Sequence, residues 1–234
     1  MISAVFFDLY GTLAGFSPSR YQIQSLACSR FGIQVTEEGI LKGYSLADTY
    51  MAEQSAVLPL PDLDKEEQNE FFAEYERLVL QGAGVQVTNE NALEIWRHVR
   101  RLPYDLSRFD DVIPAMKFLK EKSMTLGMIS NMNRDGSELA NRLGLASYLD
   151  FTITSFELGS AKPHPPVFLA ALSKARANPH EALHIGDQLI SDVQGAKRVG
   201  INAVLLDRDR IHRDFLDCPR IESLIDLPDL LENY

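Results

Sequence analysis

Ile2-Ser3-Ala4-Val5-Phe6-Phe7-Asp8-Leu9-Tyr10-Gly11-Thr12-Leu13 is the stretch that decides the fold. Its first half is a short, mostly apolar run with β-branched and aromatic members, bounded by a glycine. That pattern predicts a buried strand of a parallel sheet over residues 2–7. A carboxylate at the C-terminal end of such a strand projects into the crevice where open α/β sheets bind ligands. Asp8 is therefore a candidate nucleophile. Gly11 allows a sharp turn or a close approach to a ligand. Thr12 offers a hydroxyl and a backbone N–H to an anion.

Working outward, residues 14–19 read as a linker. Residues 20–101 lose the strand-like runs and carry four helical patterns. Thr36 and Gly39 stand in capping-type positions, Asp64 is a candidate N-cap, and Asn89 or Asn91 starts the fourth helix. Phe71, Phe72, Tyr75 and Trp96 read as the core of this block, and residues 58–62 read as a loop. From residue 102 the pattern changes. Strands are expected over 125–129, 151–154, 182–185 and 203–206, alternating with helices over 112–122, 137–143, 167–176 and 191–199. Gly200 is expected to close the last of these, and residues 221–231 form a final helix. Such alternation implies a parallel sheet with right-handed crossovers. The expected class is α/β: a Rossmann-like core (1–14 and 102–234) with an inserted all-helical cap (15–101).

Several strand ends then share one crevice. Asp8, Ser130-Asn131 and Asp187 sit at such ends, with Lys162 and Asp192 just beyond others. Asp8 can attack an electrophilic centre and form an aspartyl ester. Ser130 and Lys162 can hold an anionic oxygen. Asp8, Asp187 and Asp192 are three carboxylates in one cleft, which cannot all ionise without a cation among them. An all-oxygen set of this kind suits Mg²⁺. Asp192 also reads as the N-cap of its helix. His164, His180, His184 and His212 show no metal-ligand spacing and read as surface or packing residues.

The 234 residues carry a net charge of −10, with 45% hydrophobic and 24% charged residues. This predicts a globular protein with no nucleic-acid or anionic-membrane partner. Cys28 and Cys218 lack a disulfide or metal pattern, and there is no signal-peptide pattern or membrane span. A cytoplasmic protein, monomer or homodimer, acting on a small anionic molecule is expected.

The chain resembles the haloacid dehalogenase superfamily of hydrolases. The resemblance rests on Phe7-Asp8-Leu9-Tyr10-Gly11-Thr12-Leu13, Ile129-Ser130-Asn131, Lys162-Pro163 and Gly186-Asp187-Gln188-Leu189-Ile190-Ser191-Asp192, followed by Gly195-Ala196. It implies a Rossmann-like core, a mobile helical cap and an aspartyl intermediate. The implied catalytic set is Asp8, Tyr10, Thr12, Ser130, Asn131 and Lys162. The implied metal set is Asp8, the Tyr10 backbone carbonyl, Asp187 and Asp192, with Mg²⁺ as the only cofactor.

Two features pull apart within that family. Its Mg²⁺-dependent phosphatases resemble the chain at Asp187 and Asp192 but carry a second Asp, as general acid and base, where Tyr10 stands. Its L-2-haloacid dehalogenases resemble the Asp8-to-Leu13 stretch and need no acid, because halide leaves without a proton. They use no metal, however; Lys42 aligns with their halide-binding Arg, and Phe168 with a Tyr. The leading expectation is a Mg²⁺-dependent phosphatase for a small phosphorylated metabolite with a good leaving group. The alternatives are a metal-independent dehalogenase and a catalytically weak binding protein of the same fold.

Overall fold

The computed structural model describes residues 1–58 and 60–232. Pro59 of the expected 58–62 loop, and residues 233–234 of the expected core, lie outside the described residues; Leu60–Asp62 forms a 3-10 turn.

The expected α/β class is borne out. The first strand, β1 (Ala4–Phe7), is buried along its whole length. Two short strands follow in different places, β2 (Ala14–Ser17) and β3 (Asp105–Arg108), and pair as a two-stranded sheet. Between them lie α1 (Arg20–Ser29), α2 (Glu37–Val57), α3 (Lys65–Gly82) and α4 (Asn89–Val99). After β3 come α5 (Val112–Glu121), β4 (Thr125–Ser130), α6 (Gly136–Arg142), β5 (Phe151–Thr154), α7 (Ser155–Leu158) and α8 (Pro165–Ala175). The chain continues through β6 (Ala182–Gly186), α9 (Gly195–Arg198), β7 (Asn202–Leu206), β8 (Arg220–Ile221) and α10 (Leu227–Leu231).

Six strands form one sheet in the order β5-β4-β1-β6-β7-β8, and every paired neighbour is parallel. β1 is flanked by β4 on one side and β6 on the other. The chain builds outward from β1 to β5, then returns to build the other half. That reversal opens a crevice beyond the C-terminal end of β1.

Two sequence expectations need correction. Residues 14–17 are strand, not linker; β2 and β3 are only four residues each, and β3 is mostly exposed, so no apolar alternation announces them. The tail is not one helix, because Ile221 pairs in β8 before a 3-10 turn and α10. The fourth helix of the block starts at Asn89, one of the two expected starts, and is capped by Thr88, whose hydroxyl accepts from Asn91 N–H. Thr36 and Asp64 do cap α2 and α3, where hydroxyl and carboxylate satisfy otherwise unpaired N–H groups.

The chain forms two compact units, Met1–Gly15 with the residues from Ser107 onward, and Phe16–Leu106. In the second, Ile40, Tyr44, Phe71, Tyr75 and Val79 make a core against which Phe72 and Trp96 pack, their rings stacked 4.1 Å apart. A polar cluster is buried beside it. The Gln24 amide donates to Glu76, and Tyr44 OH donates to Gln24 Oε1 at 3.0 Å. Burial lifts the Glu76 carboxyl to about 8, with the Gln24 bond only partly offsetting it.

Glu76 is thus protonated in the folded protein at pH 7 but ionised in the unfolded chain above its ordinary 4.5. Between these values the unfolded state binds fewer protons, so this group makes stability fall as pH rises. Glu76→Gln keeps the acceptor and removes the ionisation. It should match the wild type near pH 4 and exceed it by on the order of a few kcal/mol above pH 8. Urea unfolding across that range checks this; parallel profiles would contradict it.

Candidate active site

The crevice beyond β1 is built by glycine on both sides. Asp8 N–H donates to the Ile185 carbonyl at 2.9 Å, which ties the end of β1 to β6. The chain then turns tightly: Leu13 and Ala14 N–H both donate to the Leu9 carbonyl, at 2.8 and 2.9 Å. Gly11 sits in this turn at φ +82°, and a Cβ there would lie 2.2 Å from Asp187 Oδ2. Only glycine satisfies both constraints. At the end of β6, a Cβ on Gly186 would lie 2.2 Å from Asp192 Cγ. The second glycine thus leaves room for a second carboxylate.

Asp192 is not a helix N-cap. Residues Leu189–Gln194 form a π-helical turn before α9. Val193 N–H reaches the Gln188 carbonyl at 3.2 Å, and Gln188 N–H donates to Asp192 Oδ2 at 3.0 Å. The wide turn folds the carboxylate back over Gly186, and π-turns occur frequently at functional sites.

Lys162 joins the two halves of the sheet. Its Nζ donates to Asp8 Oδ1 at 2.5 Å and to Asp192 Oδ1 at 2.6 Å, and the side chain is only 2% exposed. The Asn131 side chain holds the lysine's backbone from two directions. It donates to the Lys162 carbonyl at 2.9 Å and accepts from Lys162 N–H at 2.7 Å. Asn131 therefore positions the lysine loop on the end of β4. Ser130, the last residue of β4, is buried, and its Oγ accepts from Met132 N–H at 3.2 Å. Tyr10 lies in the turn with a partly exposed side chain, its backbone bridged to Ala14.

The electrostatics follow from burial and proximity. Burial lifts the Asp8 carboxyl to about 6; Lys162 opposes this and Asp192 adds to it. Burial would also raise Asp192, but Lys162 and the hydrogen bond from His184 outweigh it and hold it well below the usual range. For Lys162 burial favours the neutral amine, yet the two carboxylates win and keep the ammonium charged.

Asp8, Asp187 and Asp192 each offer an oxygen, and these oxygens lie within 4.8 Å of one another. One lysine against three acids leaves excess negative charge in a site where water screens little. Asp8 Oδ2 and Thr12 Oγ1 are buried without a well-formed hydrogen bond. The donor set is all oxygen and fits a hard divalent cation.

All the residues expected at the site lie in the first unit. Asp8, Lys162, Asp187 and Asp192 converge; Asn131 joins through the lysine backbone, and Tyr10 and Thr12 through the turn. Lys42, in contrast, is an exposed residue of α2 paired with Glu38 at 2.6 Å. Phe168 is buried, its ring edge-on to His184 at 5.2 Å. His184, expected as a surface or packing residue, instead holds a site carboxylate. It is fully buried on β6 with Nε2 2.9 Å from Asp192 Oδ1, and burial lowers its pKa, so the neutral ring donates. A histidine amid the apolar run Ala182-Leu183-His184-Ile185 was the available signal. Among the described residues, no helix is long and apolar enough to cross a membrane.

A family model described as haloacid dehalogenase-like hydrolase matches residues 2–200. The mouse (Mus musculus) haloacid dehalogenase-like hydrolase domain-containing protein 3 is 32% identical over 127 residues, 50% of this chain and 50% of that protein. The match thus spans about half the length of that relative. A glyceraldehyde 3-phosphate phosphatase of Methanopyrus kandleri is 28% identical over 214 residues, 90% of this chain and 86% of that protein. Among solved structures, a 2-haloacid dehalogenase from Pseudomonas syringae superposes with a TM-score of 0.57 at 26% identity, covering 100% of this chain and 99% of that one.

Gly11 and Gly32, both at positive φ, separate backbone strain from crowding, because a Cβ on Gly32 (φ +69°) meets nothing within 4 Å. Gly32→Ala should cost about 1 kcal/mol. Gly11→Ala should cost about 2–4 kcal/mol, because it also displaces the Asp187 carboxylate. Equal losses in urea unfolding would mean that the turn and Asp187 do not need this close approach.

Proposed function

The chain belongs to the haloacid dehalogenase-like hydrolase family, and we propose that it is a Mg²⁺-dependent phosphatase working through an aspartyl-phosphate on Asp8. The observation that carries this reading is the cluster of Asp8, Asp187 and Asp192, two of them held by one buried lysine. Three carboxylates beside an anionic substrate need a cation. The phosphatase name of the Methanopyrus kandleri relative supports the same reading.

In this reading Asp8 attacks phosphorus. A carboxylate-oxygen-to-phosphorus bond forms, and the bond from phosphorus to the leaving oxygen breaks. Water then attacks phosphorus and frees the Asp8 carboxylate and inorganic phosphate. Lys162, Ser130 and Thr12 hold the phosphoryl oxygens. Asp8, Asp187 and the Tyr10 carbonyl would hold Mg²⁺, with Asp192 adding charge while it steers Lys162. Bound Mg²⁺ supplies the positive charge that lets the neighbouring carboxylates stay ionised and that polarises a phosphoryl oxygen.

Tyr10 occupies the position of the general acid in related phosphatases. Protonation of an alkoxide leaving group is worth roughly 10²–10⁴-fold. A phenol with an unperturbed pKa of about 10 is a poor replacement. The substrate class is therefore a small phosphorylated metabolite whose leaving group needs little help, such as an acyl or aryl phosphate. The helical unit acts as the cap that selects it. A net charge of −10 gives no footprint for nucleic acid or an anionic membrane, and the unpaired cysteines suit a reducing compartment such as the cytoplasm.

The second reading, a metal-independent 2-haloacid dehalogenase, is favoured by Tyr10 and by the 26% identical dehalogenase structure. Initial rates on acetyl phosphate, p-nitrophenyl phosphate and an alkyl phosphate separate the two. The acyl and aryl phosphates should react at least about tenfold faster than the alkyl phosphate, EDTA should abolish turnover, and Asp8→Asn should be inactive. Tyr10→Asp should raise the alkyl rate about tenfold or more. Chloride release from 2-chloropropionate in EDTA, with no phosphate release, would overturn the proposal in favour of the dehalogenase.

A further inference from the structure

Arg208, two residues past the end of β7, belongs to none of the family's motifs quoted above. Its guanidinium grips Asp111 with both arms, NH1 to Oδ2 at 2.7 Å and NH2 to Oδ1 at 2.9 Å. NH2 also donates to the Thr12 carbonyl at 2.8 Å. The guanidinium carbon lies 4.2 Å over the Phe109 ring, and a Cβ on Gly15 would lie 3.0 Å from that same ring. Asp111 carries further load: Ser223 Oγ donates to its Oδ2 at 2.7 Å and Leu224 N–H at 2.9 Å. Burial would raise the Asp111 carboxyl, but these donors, led by Arg208, hold it below its ordinary value.

The turn after Asp8 uses the Leu9 and Ala14 carbonyls for its own hydrogen bonds, and Phe109 N–H takes the Leu13 carbonyl at 3.1 Å. Arg208 takes the Thr12 carbonyl. The peptide plane that follows Thr12 is thus set by an arginine far along the chain. Thr12 itself is fully buried, with its hydroxyl Oγ1 lacking a partner. A planar fork with five donors is suited to this double grip, and a lysine ammonium is not.

We infer that Arg208 is a positioning residue: by fixing the Thr12 carbonyl against Asp111 and Phe109, it aims the Thr12 hydroxyl at the phosphoryl oxygen. The inference rests on the phosphatase reading of Asp8 and Thr12. A misplacement near 1 Å at a reacting centre can cost about 10²-fold in rate.

A double-mutant cycle with p-nitrophenyl phosphate and Mg²⁺ tests it. Arg208→Lys should lower kcat about ten- to a hundredfold with KM changed less than about threefold. In a Thr12→Val background the same substitution should lower kcat less than about threefold, because its effect passes through that hydroxyl. Guanidinium ion at low millimolar concentration should restore part of kcat to Arg208→Ala without restoring it to Thr12→Val. If Arg208→Lys does not fold, Asp111→Asn loosens the fork and enters the same cycle. Additive losses, or a melting-temperature drop with kcat unchanged, would overturn the inference. Asp8→Asn run alongside keeps the parent reading separate: an active Asp8→Asn overturns the phosphatase mechanism itself.

Discussion

One buried ammonium between two carboxylates organises the first unit. Lys162 Nζ reaches Asp8 at the end of β1 and Asp192 beyond β6, so the crevice closes only if both ends arrive in register. Taking such charges out of water is expensive, and the attraction between them repays it only when the remaining bonds are made. The fold makes them. Asn131 fixes the lysine's backbone, while Gln188 N–H and His184 fill the rest of Asp192. Asp187 then adds a third carboxylate against the bare backbone of Gly11. Stability alone is poorly served by this arrangement, since an apolar core of equal volume would do as well. Chemistry on an anion beside a cation explains it.

The scaffold around this cluster does two separate jobs. Parallel pairing of β1 with β4 and β6 places three strand ends side by side, with every β1 side chain buried. Hydrogen bonds and arginine then fix what the sheet leaves loose, namely the Asp8-to-Ala14 turn and the lysine loop. The second unit has its own core of stacked aromatics and its own buried polar network around Gln24 and Glu76. Its internal order does not depend on the charged cluster.

Much of this was legible in the sequence for a physical reason. An apolar run that stops at a carboxylate reads as a buried strand delivering that carboxylate to an edge, and Asp8 and Asp187 both sit that way. Asp64 and Thr36 announce helix starts because unpaired N–H groups demand an acceptor there. What the sequence hides is set by tertiary contact. β2 and β3 are too short to show an alternation. The π-turn around Asp192 reads as an ordinary helix, because one extra residue per turn leaves no compositional mark. Asn131 stands in the catalytic set that the resemblance implies, yet its amide bonds the Lys162 backbone. Arg208 is remote in sequence from the groups it holds, and His184, eight residues from Asp192, is joined to it by no recognisable spacing.

A calorimetric Mg²⁺ titration at millimolar metal with a phosphate analogue, on the wild type and on Asp187→Asn, tests the central claim most directly. It reads the carboxylate cluster without any knowledge of the substrate. Saturable binding of about one ion that disappears in Asp187→Asn is the predicted result. No binding in either protein, or binding that survives the substitution unchanged, would contradict a Mg²⁺ site at Asp8 and Asp187 and turn the search to metal-free chemistry at Asp8.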